Sequence, residues 1–221
     1  MKPDSGARTS SPASFWEAVS WILNPLFVPP IAFWLTTRVQ GGTTAEAMHV
    51  FWLAGLIFTI LPAVMLVLLW KTGRASSVKL ATKQERTIPL IVGSLLAIAA
   101  VPLLAGLAGE ASKGIIVLGG GISVCALTAV LFTRFEKISL HTAAISGLGT
   151  ALNQQIPFPE GYTAAGIPLW WLIAITFLVL LPLVGLARVR TGAHSAVELV
   201  WGLVLGLMVL PASMILIRMM L

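Results

Sequence analysis

Charge is what this chain has least of. Asp and Glu number eight and Lys and Arg fourteen in 221 residues, 10% in all, against 57% apolar residues. So little polar surface cannot coat a soluble domain of this size, so the main solvent must be lipid. Cysteine is almost absent too. Cys125 stands alone in an apolar run, which excludes an internal disulfide, a dithiol redox pair and a cysteine-ligated zinc site, and leaves a buried packing residue. The net charge of +6 does not point to nucleic acid, because the basic residues are dispersed between long apolar segments instead of gathered on one face; a membrane surface accounts for them, and no nucleic-acid partner is expected.

The first fourteen residues, MKPDSGARTSSPAS, are polar and rich in Ser, Pro and Gly, and read as a mobile tail. The apolar stretch after them holds Pro25, Pro29 and Pro30 and lacks a clear small-residue cleavage site, so a retained, kinked first helix is expected rather than a signal peptide. About twenty apolar residues are needed to span a hydrocarbon core. Seven candidate segments follow: Phe15 to Thr37, Met48 to Trp70, Ile88 to Leu107, Gly114 to Phe132, Ser139 to Gln155, Leu169 to Ala187 and Ala193 to Met219. The fifth is short and carries Ser, Thr and Gly, the composition of a helix packed among its neighbours. The expected fold is an all-α integral membrane protein: residues 15–221 form one bundle of about six to seven transmembrane helices, with a site at one membrane face.

Alternation of seven spans places the tail and the connections near residues 71–87, 133–138 and 188–192 on one side. That side holds eleven cations: Lys2, Arg8, Lys71, Arg74, Lys79, Lys83, Arg86, Arg134, Lys137, Arg188 and Arg190. Arg38, Lys113 and Arg218 lie opposite, and the bias makes the rich face cytoplasmic, the inner (plasma) membrane of a bacterium being the expected location.

Three stretches on that face carry candidate chemistry. In KLATKQERTIP, Lys79, Lys83 and Arg86 fall on neighbouring positions of one helical face and could surround an anion, or else meet lipid headgroups as any juxtamembrane basic run does. In ISLHT, Ser139 stands where it could cap the next helix, whose free first-turn N–H groups favour a phosphate oxygen, and His141 could donate a proton or be a polar residue satisfied within the bundle. In ARVRTGAHSAVE, His194 and Glu198 are four apart and share a face if helical. A carboxylate at one ring nitrogen fixes the tautomer and frees the other to attack; the plainer alternative is a pair that merely neutralises polarity near a helix end.

Together the stretches resemble the type 2 phosphatidic acid phosphatase superfamily, whose motifs read K-x6-R-P, P-S-G-H and S-R-x5-H-x3-D. Lys79 and Arg86 keep the first spacing, Ser139 and His141 the second, and Arg188, His194 and Glu198 the third, from about residue 71 to residue 205. Thr87, Ile138, Leu140, Ala187 and Glu198 depart from the pattern; Leu140 replaces a glycine whose amide would approach phosphate, and Glu198 adds a methylene to an aspartate. The resemblance implies a metal-independent, cofactor-free phosphatase acting on the terminal phosphate of a lipid mono- or diphosphate among membrane lipids. It implies that His194 attacks phosphorus to form a phosphohistidine, that Glu198 orients it and that His141 protonates the leaving oxygen. Lys79, Arg86, Ser139 and Arg188 would hold the phosphate oxygens. Alternatives are a lipid or anion carrier, for which the prolines Pro62, Pro102 and Pro182 supply mobility, and a relative without activity; a carrier has no need of two histidines beside a carboxylate.

Overall fold

The computed structural model describes residues 12–77, 83–154, 163–164 and 167–221. It is an α-helical membrane protein. Helix α1 covers Pro12–Ile22, α2 Val28–Val39, α3 Thr44–Lys71, α4 Lys83–Leu107, α5 Ser112–Thr133 and α6 Leu140–Gln154. A two-residue antiparallel ladder, β1 Thr163–Ala164 and β2 Ile167–Pro168, precedes α7 Leu169–Arg190 and α8 Ala196–Met220. Among the described residues, five helices are long and apolar enough to cross a membrane: α3, α4, α5 with its preceding turn, α7 and α8.

The segment expected to be one kinked helix from Phe15 to Thr37 is two short helices. The chain breaks at Asn24-Pro25: the Asn24 carboxamide oxygen accepts from the Leu26 N–H at 3.0 Å, and the Asn24 carbonyl accepts from Phe27 N–H at 3.0 Å. This is the turn that a short amide side chain before proline offers in competition with helix. The loose Leu26 carbonyl is taken by the Thr59 hydroxyl of α3 at 2.7 Å, so the break leaves that group satisfied inside the bundle. Pro29 and Pro30 then sit in the opening turn of α2, where a missing N–H costs nothing.

Three long helices share one device. A π-turn covers Leu56–Ile60 in α3, Thr176–Leu180 in α7 and Leu205–Val209 in α8, and each is followed by Leu-Pro, at Pro62, Pro182 and Pro211. Proline donates no hydrogen bond and pushes away the carbonyl four residues back; widening the turn ahead of it relieves both problems without ending the helix.

Helix α6 lies at the centre. It packs against α2, α7 and α8, and eight of its fifteen residues are buried, which fits the expectation of a helix held among its neighbours. Small residues allow the approach. A Cβ on Gly202 of α8 would collide with the Thr142 hydroxyl and the Ser139 carbonyl, and one on Gly206 would come 2.6 Å from Gly147 N and 2.7 Å from Ala143 O. The Gly-x3-Gly spacing thus brings α8 backbone onto α6 backbone. The second half of α3, Leu61–Lys71, has no buried residue.

Candidate functional site

The site is built where the end of α7, the start of α8 and the start of α6 meet. After Arg190 the chain reverses through Gly192, whose φ of +63° suits glycine, and the Arg188 carbonyl accepts from Ala193 N–H at 3.0 Å and His194 N–H at 3.2 Å. Ser195 is the N-cap of α8. Its hydroxyl accepts from Glu198 N–H at 3.4 Å, and the Glu198 carboxylate accepts in return from Ser195 N–H at 3.1 Å, a reciprocal capping box. The same carboxylate oxygen lies 2.8 Å from His194 Nδ1. The pair expected to meet across one turn of helix does meet, by another route: His194 precedes the helix, and the capping geometry turns Glu198 back toward it. The carboxylate can only accept, so Nδ1 carries the proton and Nε2 keeps the free lone pair.

The His194 side chain is 2% exposed and Glu198 18%. Burial, followed by the charges of Arg188, Arg86 and Lys137, pushes the His194 imidazole down to about pKa 3. The ring is therefore neutral at physiological pH, the form in which it is a nucleophile. Lys137, in the loop before α6, has its pKa lowered by burial and then by Arg86, with Glu198 opposing.

Cross-links tie the three stretches together. Arg86 Nη1 donates to the Ile138 carbonyl at 3.4 Å, Lys137 Nζ to the Ala193 carbonyl at 2.9 Å, and Ser139 N–H to the Glu198 carbonyl at 3.1 Å. The cluster thus gathers Arg86, Lys137, His141, Arg188, His194 and Glu198: three fixed cations and one carboxylate around two histidines, an arrangement suited to an anion. Glu85, next to Arg86, is turned to the α3–α4 connection, where it accepts from Ser76 N–H at 2.8 Å.

Ser139 is fully buried; its hydroxyl accepts from Thr142 N–H at 3.5 Å, a long capping bond into its own helix. Leu140 packs with Ala129, Ile138 and Leu205 and lines a mostly apolar cavity of about 270 Å³ between the helices. Arg190 and His49 are exposed. Lys79 lies outside the described residues, as does the side chain of Lys83.

Two contributors escaped the sequence reading. Lys137 stood there only as a topological charge, although its position two residues before Ser139 was a usable signal. The other is helix α1, which packs against the Leu181–Arg190 part of α7 and whose Ser20 carbonyl accepts from His141 Nε2–H at 3.2 Å. No local pattern announces a contact across 121 residues.

Fold and site together define a multi-helix membrane protein with a cationic, histidine-bearing cluster at the end of its bundle. Compared with family models, with curated proteins and with solved structures, the chain finds no match.

Proposed function

We propose that this protein is a lipid-phosphate phosphatase that works through a phosphohistidine, as its resemblance to the type 2 phosphatidic acid phosphatase superfamily implies. One observation carries the reading: a buried imidazole with Nδ1–H held by Glu198 at 2.8 Å, ringed by Arg86, Arg188 and Lys137. A buried pair kept only to neutralise polarity would not need three further cations, each costly to desolvate.

In this reading His194 Nε2 attacks phosphorus, the bond from phosphorus to the lipid oxygen breaks, and the departing oxygen takes a proton from His141. Since Nε2–H of His141 is engaged by the Ser20 carbonyl, Nδ1 is the nitrogen left to hand over that proton and to take up the one from water. Water then attacks the phosphohistidine, His141 takes up its proton, and inorganic phosphate leaves with His194 neutral again. Arg86 and Arg188, with Lys79 by the motif, bear the charge on the phosphate oxygens through both steps; Lys137 joins them by its place in the cluster.

The finer topology belongs to the same reading. The α1–α2 pair forms one broken span and α6 one short span, which brings the five long helices to seven crossings, with the site on the cytoplasmic face of a bacterial inner membrane. The apolar cavity under Leu140 offers a seat to a hydrocarbon tail whose headgroup sits at His194.

The test is phosphate release by the purified protein in detergent, with chelator present, over a panel of lipid mono- and diphosphates. Release is expected to survive the chelator and to fall about 10³-fold or more in His194→Ala. Release that needs added metal, that persists in the variant, or that occurs with no substrate of the panel overturns the reading.

A further inference from the structure

Among the described residues, two buried side-chain polar atoms have no hydrogen-bond partner: the Ser20 hydroxyl and Arg188 Nε. Buried polar groups are nearly always paired, so each such orphan asks for an explanation. Both belong to the same place. Arg188 is a member of the cationic cluster, and Ser20, 7% exposed, sits on the helix that packs against the last turns of α7, with its own carbonyl bonded to His141. Of the described side chains of α1, Phe15, Trp21 and Ile22 face outward, whereas the Ser20 hydroxyl is buried, on the residue whose carbonyl binds the catalytic histidine of the proposed reaction.

We propose that Ser20 is a further anion-binding residue of the site, its hydroxyl donating to a phosphate oxygen that Arg188 Nε also holds. One group answers both orphans: a phosphate oxygen accepts from the hydroxyl and from the guanidinium N–H, and charge-assisted bonds of this kind are the stronger class. Helix α1 is then a working part of the site, added by a segment that lies outside the three motif stretches. Its carbonyl holds the His141 ring and its hydroxyl holds the group on which that ring acts. Ser20 has this role only if the cluster binds phosphate, as proposed above, and the experiment separates the two claims.

The full-length protein carrying His194→Ala, in which nothing turns over, is titrated in detergent with inorganic phosphate and, separately, with phosphatidic acid in mixed micelles. Adding Ser20→Ala removes the hydroxyl and keeps the carbonyl. It is expected to weaken both ligands about tenfold or more, and Ser20→Thr, which restores a hydroxyl, to return affinity to within about threefold of the parent. Inorganic phosphate bound equally well by the parent and by Ser20→Ala overturns the proposal. So does weakening confined to phosphatidic acid, which would assign the hydroxyl to the lipid part and not to phosphate. If Ser20→Ala does not fold, Ser20→Cys, a weaker donor of similar shape, carries the same expectation. A parent that binds neither ligand overturns Ser20 and the anion site together. A parent that binds phosphate while the unmodified protein releases none from lipid overturns the enzyme alone, and the same titration still decides Ser20.

Discussion

Helices α6 and α3 are made differently and serve different ends. Helix α3 has 28 residues, high hydropathy and an outer half with nothing buried; it answers to the lipid. Helix α6 has 15 residues and buries more than half of them against backbone as much as against side chains, and both ends of the site's chemistry, His141 and the first turn of α8, are fixed to it. Length and hydropathy mark the helices that make the protein a membrane protein. Small residues and short polar side chains mark the one that makes a site.

The contrast can be broken first at its tightest point. Gly206→Leu forces a side chain into α6 backbone at Ala143 and Gly147, and should cost at least the ~1–3 kcal/mol of an overpacked core and remove activity with it. Leu68→Ala, on the outward face of α3 at 56% exposure, should stay within ~0.5 kcal/mol. Thermal unfolding of both in one detergent checks the pair; similar losses would dissolve the distinction between seam and lipid face.

Glu198→Gln tests whether the seam holds chemistry or only helices. Glutamine at the third helical position still completes a capping box, so stability should change little, while the lost charge beside His194 should lower kcat about 10²–10⁴-fold. Ser195→Ala is the reverse case: loss of the cap should cost ~1 kcal/mol of stability and far less rate.

A further effect comes from pH. The unfolded chain protonates His194 near pH 6.5, the folded protein only near pH 3. Between those values the unfolded state binds more protons, so the His194 contribution to stability is present above about pH 6.5, is lost as pH falls through the window, and levels off below about 3. Melting curves across that range should show the fall, and His194→Gln should flatten it. Arg188→Ala, by removing a cation that opposes protonation, should raise the His194 pKa in an imidazole NMR titration.

The sequence made the long helices plain, because eighteen or more apolar residues in a row have few other readings. It also placed α6 among its neighbours through Ser, Thr and Gly, and it brought Arg86, His141, Arg188, His194 and Glu198 to one end of the bundle. The His194–Glu198 contact was legible for an incomplete reason: the spacing of four suggested one helical face, while Ser195 and Glu198 in fact spell the capping box that draws the carboxylate back. The break at Asn24-Pro25 was read as a kink, since proline alone bends a helix whereas the asparagine before it supplies the turn that ends one. The seam at Gly202 and Gly206 is seen only in the structure, where their close approach to α6 gives the spacing its meaning. Ser20 was not legible as a site residue, because its place depends on how distant segments dock; Lys137 lay within reach, two residues before Ser139, and stood only as a topological charge.

If His194 takes the phosphoryl group, the phosphohistidine can be trapped. The protein is mixed briefly with a phosphate-labelled lipid phosphate and quenched in base. Label on the protein that survives base, is lost in acid and maps to His194 is the predicted result. A reaction that releases phosphate at full rate while no label ever reaches His194 would contradict it.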